Sequence, residues 1–346
     1  MLIVPHAAVA RILEDAEHDI LSLIREAYSE HEAGRTAVPH SVFLRFPDDP
    51  SNRIIGLPAY LGGREPAAGM KWISSFPGNI ASGLARASAA ILLNSVVNGH
   101  PLALIEGSLI SAKRTAASAA LAASLLVGDE PPTGVTLIGT GVINFEVLRF
   151  LSTVFPGLAA VTVHDRDPAR AEAFVTRVRG WRPELRVESA AGIAPALAAH
   201  RLISFATTAG QPHTRLDDAR PGSVVLHLSL RDLQPDTIRD SVNVVDDVDH
   251  VCREQTSVHL AEQVAGDRNF IHATIGQLTL GTAELSVKPD DRIVVSPFGL
   301  GVLDLVLAAH VYARARRLGL GLAVNGFLPD EEPAGADHPP IKEEYR

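Results

Sequence analysis

An α/β fold is predicted, with a doubly wound parallel sheet over the later part of the chain and a smaller unit of mixed α+β texture before it. Three observations predict it. Residues 131 to 165 read as strand, glycine turn, helix, second strand and terminal acid. From there to about residue 300, apolar β-rich runs alternate with helical patterns, which implies a parallel sheet with helices on both faces. Before Ser108 the texture differs, with short β-rich segments set between Pro, Asp and Gly turns, as in an antiparallel sheet.

In order along the chain, Leu2-Ile3-Val4 forms a short apolar run. Ile12, Leu13, Ile20, Leu23, Ile24 and Tyr28 then follow at helical spacing and predict one helix. Val42 to Phe46 and Arg53 to Pro58 read as strands around the turn Pro47 to Pro50. Gly69 to Ser74 reads as a further strand leading into a loop at Ser75 to Asn79. Ala89 to Asn94 and Pro101 to Glu106 flank the turn Asn98-Gly99-His100 and complete a meander. Ser108 to Leu126 is helical and rich in small residues, so it can pack closely and bridge into the second unit. In that unit the later strands are expected at Arg186–Glu188, Arg201–Phe205, Ser223–Leu228, Asn243–Asp246 and Ile293–Ser296. A helix past Gly301, with Val302, Leu305, Val306, Ala309 and Ala313, returns to the first unit. The domains are therefore expected at 1–110 with 302–325, and at 111–301. The Pro-, Glu- and Asp-rich tail, 326–346, is expected to be disordered.

Composition narrows the function classes. At 346 residues the chain is long enough for two domains, and 46% hydrophobic with 21% charged residues describes a soluble globular protein. A formal charge of −9 argues against a nucleic-acid partner, which calls for a clustered basic face. Cys252, the single cysteine, excludes an internal disulfide framework. No signal peptide and no bilayer-length apolar run is evident, so a cytoplasmic protein without a membrane partner is expected.

The central stretch, PPTGVTLIGTGVINFEVLRFLSTVFPGLAAVTVHD, is the first half of a Rossmann-type dinucleotide-binding unit. Gly139, Thr140 and Gly141 allow a tight turn and close backbone approach to a pyrophosphate. Val142 and Ile143 open the helix whose free N–H groups face that charge. Asp165 ends the next strand, where a carboxylate accepts the ribose hydroxyls and favours NAD, while Arg166 beside it could accommodate a 2′-phosphate. The third glycine of the pattern is replaced by Asn144, so a slightly wider helix–strand approach is expected. Ala206-Thr207-Thr208 and Phe298-Gly299 follow strands of the same unit and either line the nicotinamide half or are simple turns.

Lys71 lies in a largely apolar strand and Arg114 near the head of the small-residue helix, against the helix dipole. A substrate carboxylate held bidentately explains the arginine, and an interdomain ion pair is the alternative. Arg45 and Arg53, on the strands around the Pro47–Pro50 turn, are the other cations expected to face substrate. The segment His227-Leu228-Ser229-Leu230-Arg231-Asp232 stands at a strand's C-terminal end, where ligands bind in open α/β sheets. Asp232 is placed for proton transfer to a substrate amine, with a helix cap as the alternative, and Ser229 and Leu230 for cofactor contact; His227 is the rival acid/base or, from its place inside the strand, a buried, satisfied histidine. Asp246, Asp247, Asp249, His250 and Cys252 lack a second cluster to complete a metal shell, so no metal is expected.

The chain up to about residue 325 resembles the ornithine cyclodeaminase/μ-crystallin family. The resemblance rests on RIIGLPAY at Arg53–Tyr60, GMKWISSFPGN at Gly69–Asn79 and RASAAILLN at Arg86–Asn94. It continues through EGSLISAKRTAASA at Glu106–Ala119, LRDL at Leu230–Leu233 and VVDDVDHVC at Val244–Cys252. It implies a discontinuous substrate and dimerisation domain beside the NAD domain, a homodimer, and an amino-acid-derived substrate. By this resemblance Lys71 and Arg114 hold the substrate carboxylate and Asp232 is the catalytic aspartate. The nearest branch acts in 2,3-diaminopropionate biosynthesis for siderophores and related peptides. Its reaction oxidises and hydrolyses N-(2-amino-2-carboxyethyl)-L-glutamate to L-2,3-diaminopropionate and 2-oxoglutarate. Ile55 or Gly56 stands where cyclodeaminases carry an acid, which weighs against ornithine cyclisation. Alanine dehydrogenase, ketimine reductase and a non-catalytic crystallin-like NAD(P)H-binding protein are the other outcomes the same scaffold allows.

Overall fold

The computed structural model describes residues 1–128 and 130–329. Most of the tail expected from residue 326 lies outside the described residues. The first unit opens with β1 (Leu2–Val4), α1 (His6–Ile12) and α2 (Glu17–Glu32). The strands β2 (Thr36–Ala37), β3 (Val42–Phe46), β4 (Asp49–Leu61), β5 (Ala67–Ser75), β6 (Ala87–Asn94) and β7 (Pro101–Glu106) follow. Then α3 (Ser108–Leu126) leads to β8 (Gly134–Ile138), α4 (Val142–Val154), β9 (Ala160–His164), α5 (Pro168–Trp181) and β10 (Arg186–Ser189). Next come α6 (Ile193–Leu197), β11 (Leu202–Phe205), β12 (Val224–His227), α7 (Pro235–Arg239) and β13 (Val242–Val245). The chain ends its described part with α8 (Val248–Val251), α9 (Ser257–Ala265), β14 (Ile271–Thr274), α10 (Ile275–Leu280), β15 (Ile293–Ser296), α11 (Gly301–Leu318) and β16 (Leu322–Ala323).

The strands make two sheets. The first runs β16-β1-β7-β6-β5-β4-β2, with β3 added beside β4, and β4 to β7 form the expected antiparallel meander. The second runs β10-β9-β8-β11-β12-β15-β13-β14 and is parallel throughout. The order reverses between β8 and β11, which opens a crevice beyond their C-terminal ends. Successive residues of β12 are buried against opposite cores, so this sheet is covered on both faces, as the alternating pattern predicts.

Small side chains join the halves. Ala116, Ala117, Ala119, Ala120 and Ala123 of α3 are fully buried, and the helix packs against α2, α4 and α11. Without bulky side chains those helices approach closely, and one continuous core runs from Ile91 and Ile105 to Val135 and Val161. The last helix, α11, leaves the parallel sheet and lies across β4, β5 and β6.

Two local readings change. The single helix expected over Ile12 to Tyr28 is two, because Asp15 takes a left-handed φ of 48° and turns the chain between α1 and α2. Apolar spacing carries across the break because both helices bury the same core. The turn at Pro47–Pro50 is tighter than expected: Phe46 pairs with Asp49, so β4 already includes Pro50.

Candidate active site

The glycine turn is built where the crevice opens. Gly139 has φ +89°, and a Cβ there would fall 2.5 Å from the carbonyl oxygen of Ala206. Only glycine lets β8 turn so close to the loop after β11. Gly141 faces open space and is the extended residue before α4, so the helix's first N–H groups are unobstructed. Val142 is 57% exposed beside them, and Ile143 is half-buried. Asn144 is fully buried and replaces the missing glycine with bonds of its own. Its Nδ2 donates to the carbonyls of Ile138 at 2.9 Å and Gly139 at 2.6 Å, and its Oδ1 accepts from Ser204 Oγ at 2.7 Å. The amide thus ties helix, turn and β11 together.

Asp165 stands at the end of β9. One of its oxygens accepts from the Thr140 N–H at 2.9 Å and hydroxyl at 2.7 Å, the other from Asp167 N–H. Burial pushes this carboxyl up, but those donors and Arg170 outweigh burial and hold it below the usual range. Arg166 is exposed beside it, as is Thr208 across the crevice. Open N–H groups, a glycine floor and an ionised acid at the second strand's end suit a dinucleotide's pyrophosphate and ribose.

Lys71 and Arg114 come together on a residue that sequence reasoning missed, Asp304. Lys71 Nζ donates to Asp304 Oδ2 at 2.6 Å, and Arg114 Nε to Asp304 Oδ1 at 3.0 Å. Lys71 is 2% exposed and Asp304 is fully buried. Ser111 Oγ accepts a further bond from Lys71 at 3.2 Å. Burial and the neighbouring Arg114 lower the Lys71 ammonium to about 8, against the pull of Asp304. Two buried cations share one carboxylate, so the group carries an excess positive charge. Asp304 had one sequence signal: it is the lone acid in the apolar start of α11, where a buried charge needs partners.

Asp232 forms the second cluster and is fully buried. Thr207 Oγ1 donates to Oδ1 at 2.5 Å, Ser229 donates to Oδ2, and His227 Nε2 lies 3.3 Å from Oδ2. His213 Nε2 is 3.2 Å from Oδ1 and half-exposed, linking the carboxylate to solvent. Burial alone would raise the Asp232 carboxyl, but His227 and the two hydroxyls prevail and hold it far below the usual range. His227 is buried, with Nδ1 3.2 Å from Ser296 Oγ. Leu230, between Ser229 and Asp232, takes a left-handed φ of 67°, a backbone turn that costs about 1–2 kcal/mol in an L-residue.

Thr207 and Ser229 therefore meet on one carboxylate, while Phe298 and Gly299 are clamped elsewhere. Their N–H groups donate to Asp246 at 2.8 and 2.6 Å. Burial raises the Asp246 carboxyl despite those bonds. Arg45 and Arg53 are direct cross-strand neighbours on β3 and β4, away from Asp304. Among the described residues, no group of three or more His, Cys, Asp and Glu side chains is arranged to hold a metal. Nor, among them, is any helix long and apolar enough to cross a membrane.

Comparison with known proteins agrees with this architecture. The family model for the ornithine cyclodeaminase/mu-crystallin family matches residues 7–318. The chain is similar to an N-((2S)-2-amino-2-carboxyethyl)-L-glutamate dehydrogenase of Staphylococcus aureus, 29% identical over 87% of this chain and 91% of that protein. Among solved structures it is similar to Thermococcus litoralis Delta(1)-pyrroline-2-carboxylate reductase in complex with NADH and L-proline. That match has a TM-score of 0.87 and 24% identity, covering 94% of this chain and 100% of the other. It is also similar to an archaeal alanine dehydrogenase dimer with bound NAD, at TM-score 0.84 and 22% identity, over 94% and 99% of the two chains.

Proposed function

We propose, for a chain that belongs to the ornithine cyclodeaminase/mu-crystallin family, an NAD-dependent oxidation of a carbon–nitrogen bond in an amino-acid-derived substrate. The substrate in this reading is N-(2-amino-2-carboxyethyl)-L-glutamate, cleaved with water to L-2,3-diaminopropionate and 2-oxoglutarate. The products would supply a siderophore or a related peptide. The similarity to the staphylococcal dehydrogenase supports that choice, as does Ile55 or Gly56 where cyclodeaminases carry an acid.

The observation that carries the reading is the buried trio of Lys71, Arg114 and Asp304. It is short of one negative charge, and a substrate carboxylate supplies it through charge-assisted bonds in a site with little water. The chemistry that NAD supplies when bound is acceptance of a hydride. Gly139, Thr140 and Gly141, with Val142, Ile143 and Asp165, would hold it, and Arg166 and Ala206–Thr208 border the same crevice. As the α-carbon loses hydride, positive charge grows on the C=N unit. Asp232, held ionised by His227, Ser229 and Thr207, offsets that charge. Its low proton affinity favours this role over that of a strong general base. Lys71 polarises the water that adds to the C=N carbon, and collapse of the carbinolamine breaks the C–N bond. Protons leave through His213, which joins Asp232 to solvent.

A homodimer fits the outer face of the first sheet. Tyr60, Trp72 and Leu104 share the face opposite Lys71 and are all exposed. A second copy would cover them.

The test is NADH formation by purified protein with N-(2-amino-2-carboxyethyl)-L-glutamate, alongside L-ornithine and L-alanine. Appearance of 2-oxoglutarate and diaminopropionate supports the reading. Turnover of ornithine or alanine alone keeps the oxidoreductase and rejects the substrate. NADH binding without turnover of any of them leaves a crystallin-like binder.

A further inference from the structure

Besides the trio at Asp304, the first sheet brings a second group of cations together. Arg45 and Arg53 are register partners across β3 and β4. Arg53 is in turn the register partner of Ser75 on β5, and Arg86 Nη1 donates to Ser75 Oγ at 2.8 Å. From the parallel-sheet unit, Arg231 Nη2 donates to the backbone carbonyl of Glu254 at 2.6 Å, and Arg45 Nη2 to that residue's carboxylate at 2.5 Å. Arg45, Arg53 and Arg231 thus converge from both units on Glu254, and Arg86 joins them beside Arg53. Asp232 is a second acid near this group and draws on Arg231.

This arrangement is costly as it stands. Arg53, Arg86 and Arg231 are half-buried, and burial lowers each guanidinium from its ordinary value, helped by Arg45 at Arg53, by Arg53 at Arg86, and by both at Arg231. Arg53 Nε is buried without a hydrogen-bond partner. Like charges in partial burial are retained where an anion joins them, and a guanidinium's planar fork suits a carboxylate. The cluster also faces the site already described. Arg53 and Leu57 are four residues apart on β4 and share one face of the sheet, and Leu57 is the register partner of Lys71. The two cationic positions therefore lie about 13 Å apart along the sheet. Each arginine side chain spans several ångströms of that, so one elongated small molecule can reach both.

We infer that Arg53, Arg86 and Arg231, with Arg45 behind them, form a second anion subsite that selects substrates bearing a further carboxylate beyond the one held at Lys71 and Arg114. The inference rests on the proposed dehydrogenase reading and deepens it, because it names a polycarboxylate class. Alanine, proline and ornithine carry one carboxylate and leave this subsite empty. An N-carboxyalkyl glutamate carries three, and its keto product carries two.

Calorimetric titration with 2-oxoglutarate, pyruvate and 2-oxovalerate tests this without turnover, in full-length protein with and without NADH. The third compound has the chain of the first without its distal carboxylate. We expect 2-oxoglutarate to bind at least about tenfold more tightly than 2-oxovalerate. The Arg53→Gln/Arg86→Gln variant, shown by thermal melting to be folded, should abolish that preference while leaving pyruvate affinity within about twofold. A single variant, Arg53→Gln, should lose part of the preference if the pair proves unstable. Equal affinity for the two compounds in the wild type, or an undiminished preference in the variants, overturns the subsite. The preference with no NADH formed from N-(2-amino-2-carboxyethyl)-L-glutamate would keep the subsite and reject the proposed reaction. Turnover of that substrate without the preference would do the reverse.

Discussion

Gly299 lies directly against the guanidinium of Arg114: at φ +97°, a Cβ on Gly299 would fall 2.6 Å from Nη1. Asp246 clamps the same peptide from its other side, so the glycine cannot easily retreat. Gly299→Ala should push Arg114 off Asp304 and raise KM, lowering kcat/KM by about 10- to 100-fold. The left-handed backbone adds about 1–2 kcal/mol of destabilisation. Steady-state kinetics beside a thermal melt separates the two effects. An unchanged KM in a folded variant would remove Arg114 from substrate binding.

The Lys71 ammonium, lowered from 10.5 to about 8, gives a pH prediction. Only its charged form holds a carboxylate, so kcat/KM should fall as pH rises through about 8. Lys71→Arg stays charged and should lose this limb of the profile, whatever its absolute rate. The stability sign follows from the same shift. Between about 8 and 10.5 the unfolded chain keeps a proton that the fold has released, so this group's contribution to stability rises with pH there. Urea midpoints of the wild type and Lys71→Met across that range check the sign.

Asp304→Asn removes the carboxylate bonded to both Lys71 and Arg114. Breaking such a pair costs about 3–5 kcal/mol, which urea denaturation at neutral pH should show as a lowered midpoint with unchanged slope. A loss under about 1 kcal/mol would mean that water already compensates the two charges.

Asp232→Asn keeps the shape of the second cluster, and the hydroxyls of Ser229 and Thr207 can turn to suit an amide. Folding should change little, whereas kcat should fall by about 100- to 1,000-fold with KM nearly constant. A loss confined to KM would make Asp232 a binding group.

Trp72→Glu puts a charge on the outer face of the meander, where the indole is 41% exposed. A dimer by light scattering in the wild type and a monomer in the variant are expected. A wild-type monomer would leave that face without its proposed partner.

Much of the fold was readable because local chemistry and tertiary structure agree. The glycine turn, the strands around it and the span of α3 all follow from apolar periodicity and small residues. The break at Asp15 was not readable, since one core accepts the apolar positions of both helices. The edge strand β14 also escaped notice, with His272 interrupting a short apolar run. In the candidate site, Lys71, Arg114 and Asp232 stood out as charges in apolar or strand-end settings. Asp304 gives the same signal, yet its lysine partner lies 233 residues earlier, and no local pattern names that pairing. Arg53 and Arg231 belong to different units, so only the folded chain reveals that they are neighbours.

The path of α11 has a consequence for how the molecule comes into being. Lys71 and Arg114 are synthesised long before Asp304, which follows the last strand of the parallel sheet. On the ribosome, the meander and α3 can assemble while two cations still lack their counter-charge and must stay hydrated. The site closes only when α11 emerges and crosses back over β4 to β6. Synthesis of α11 and burial of the two cations against their counter-charge are then a single event, and a product interrupted before Asp304 carries a nucleotide crevice beside two unpaired charges.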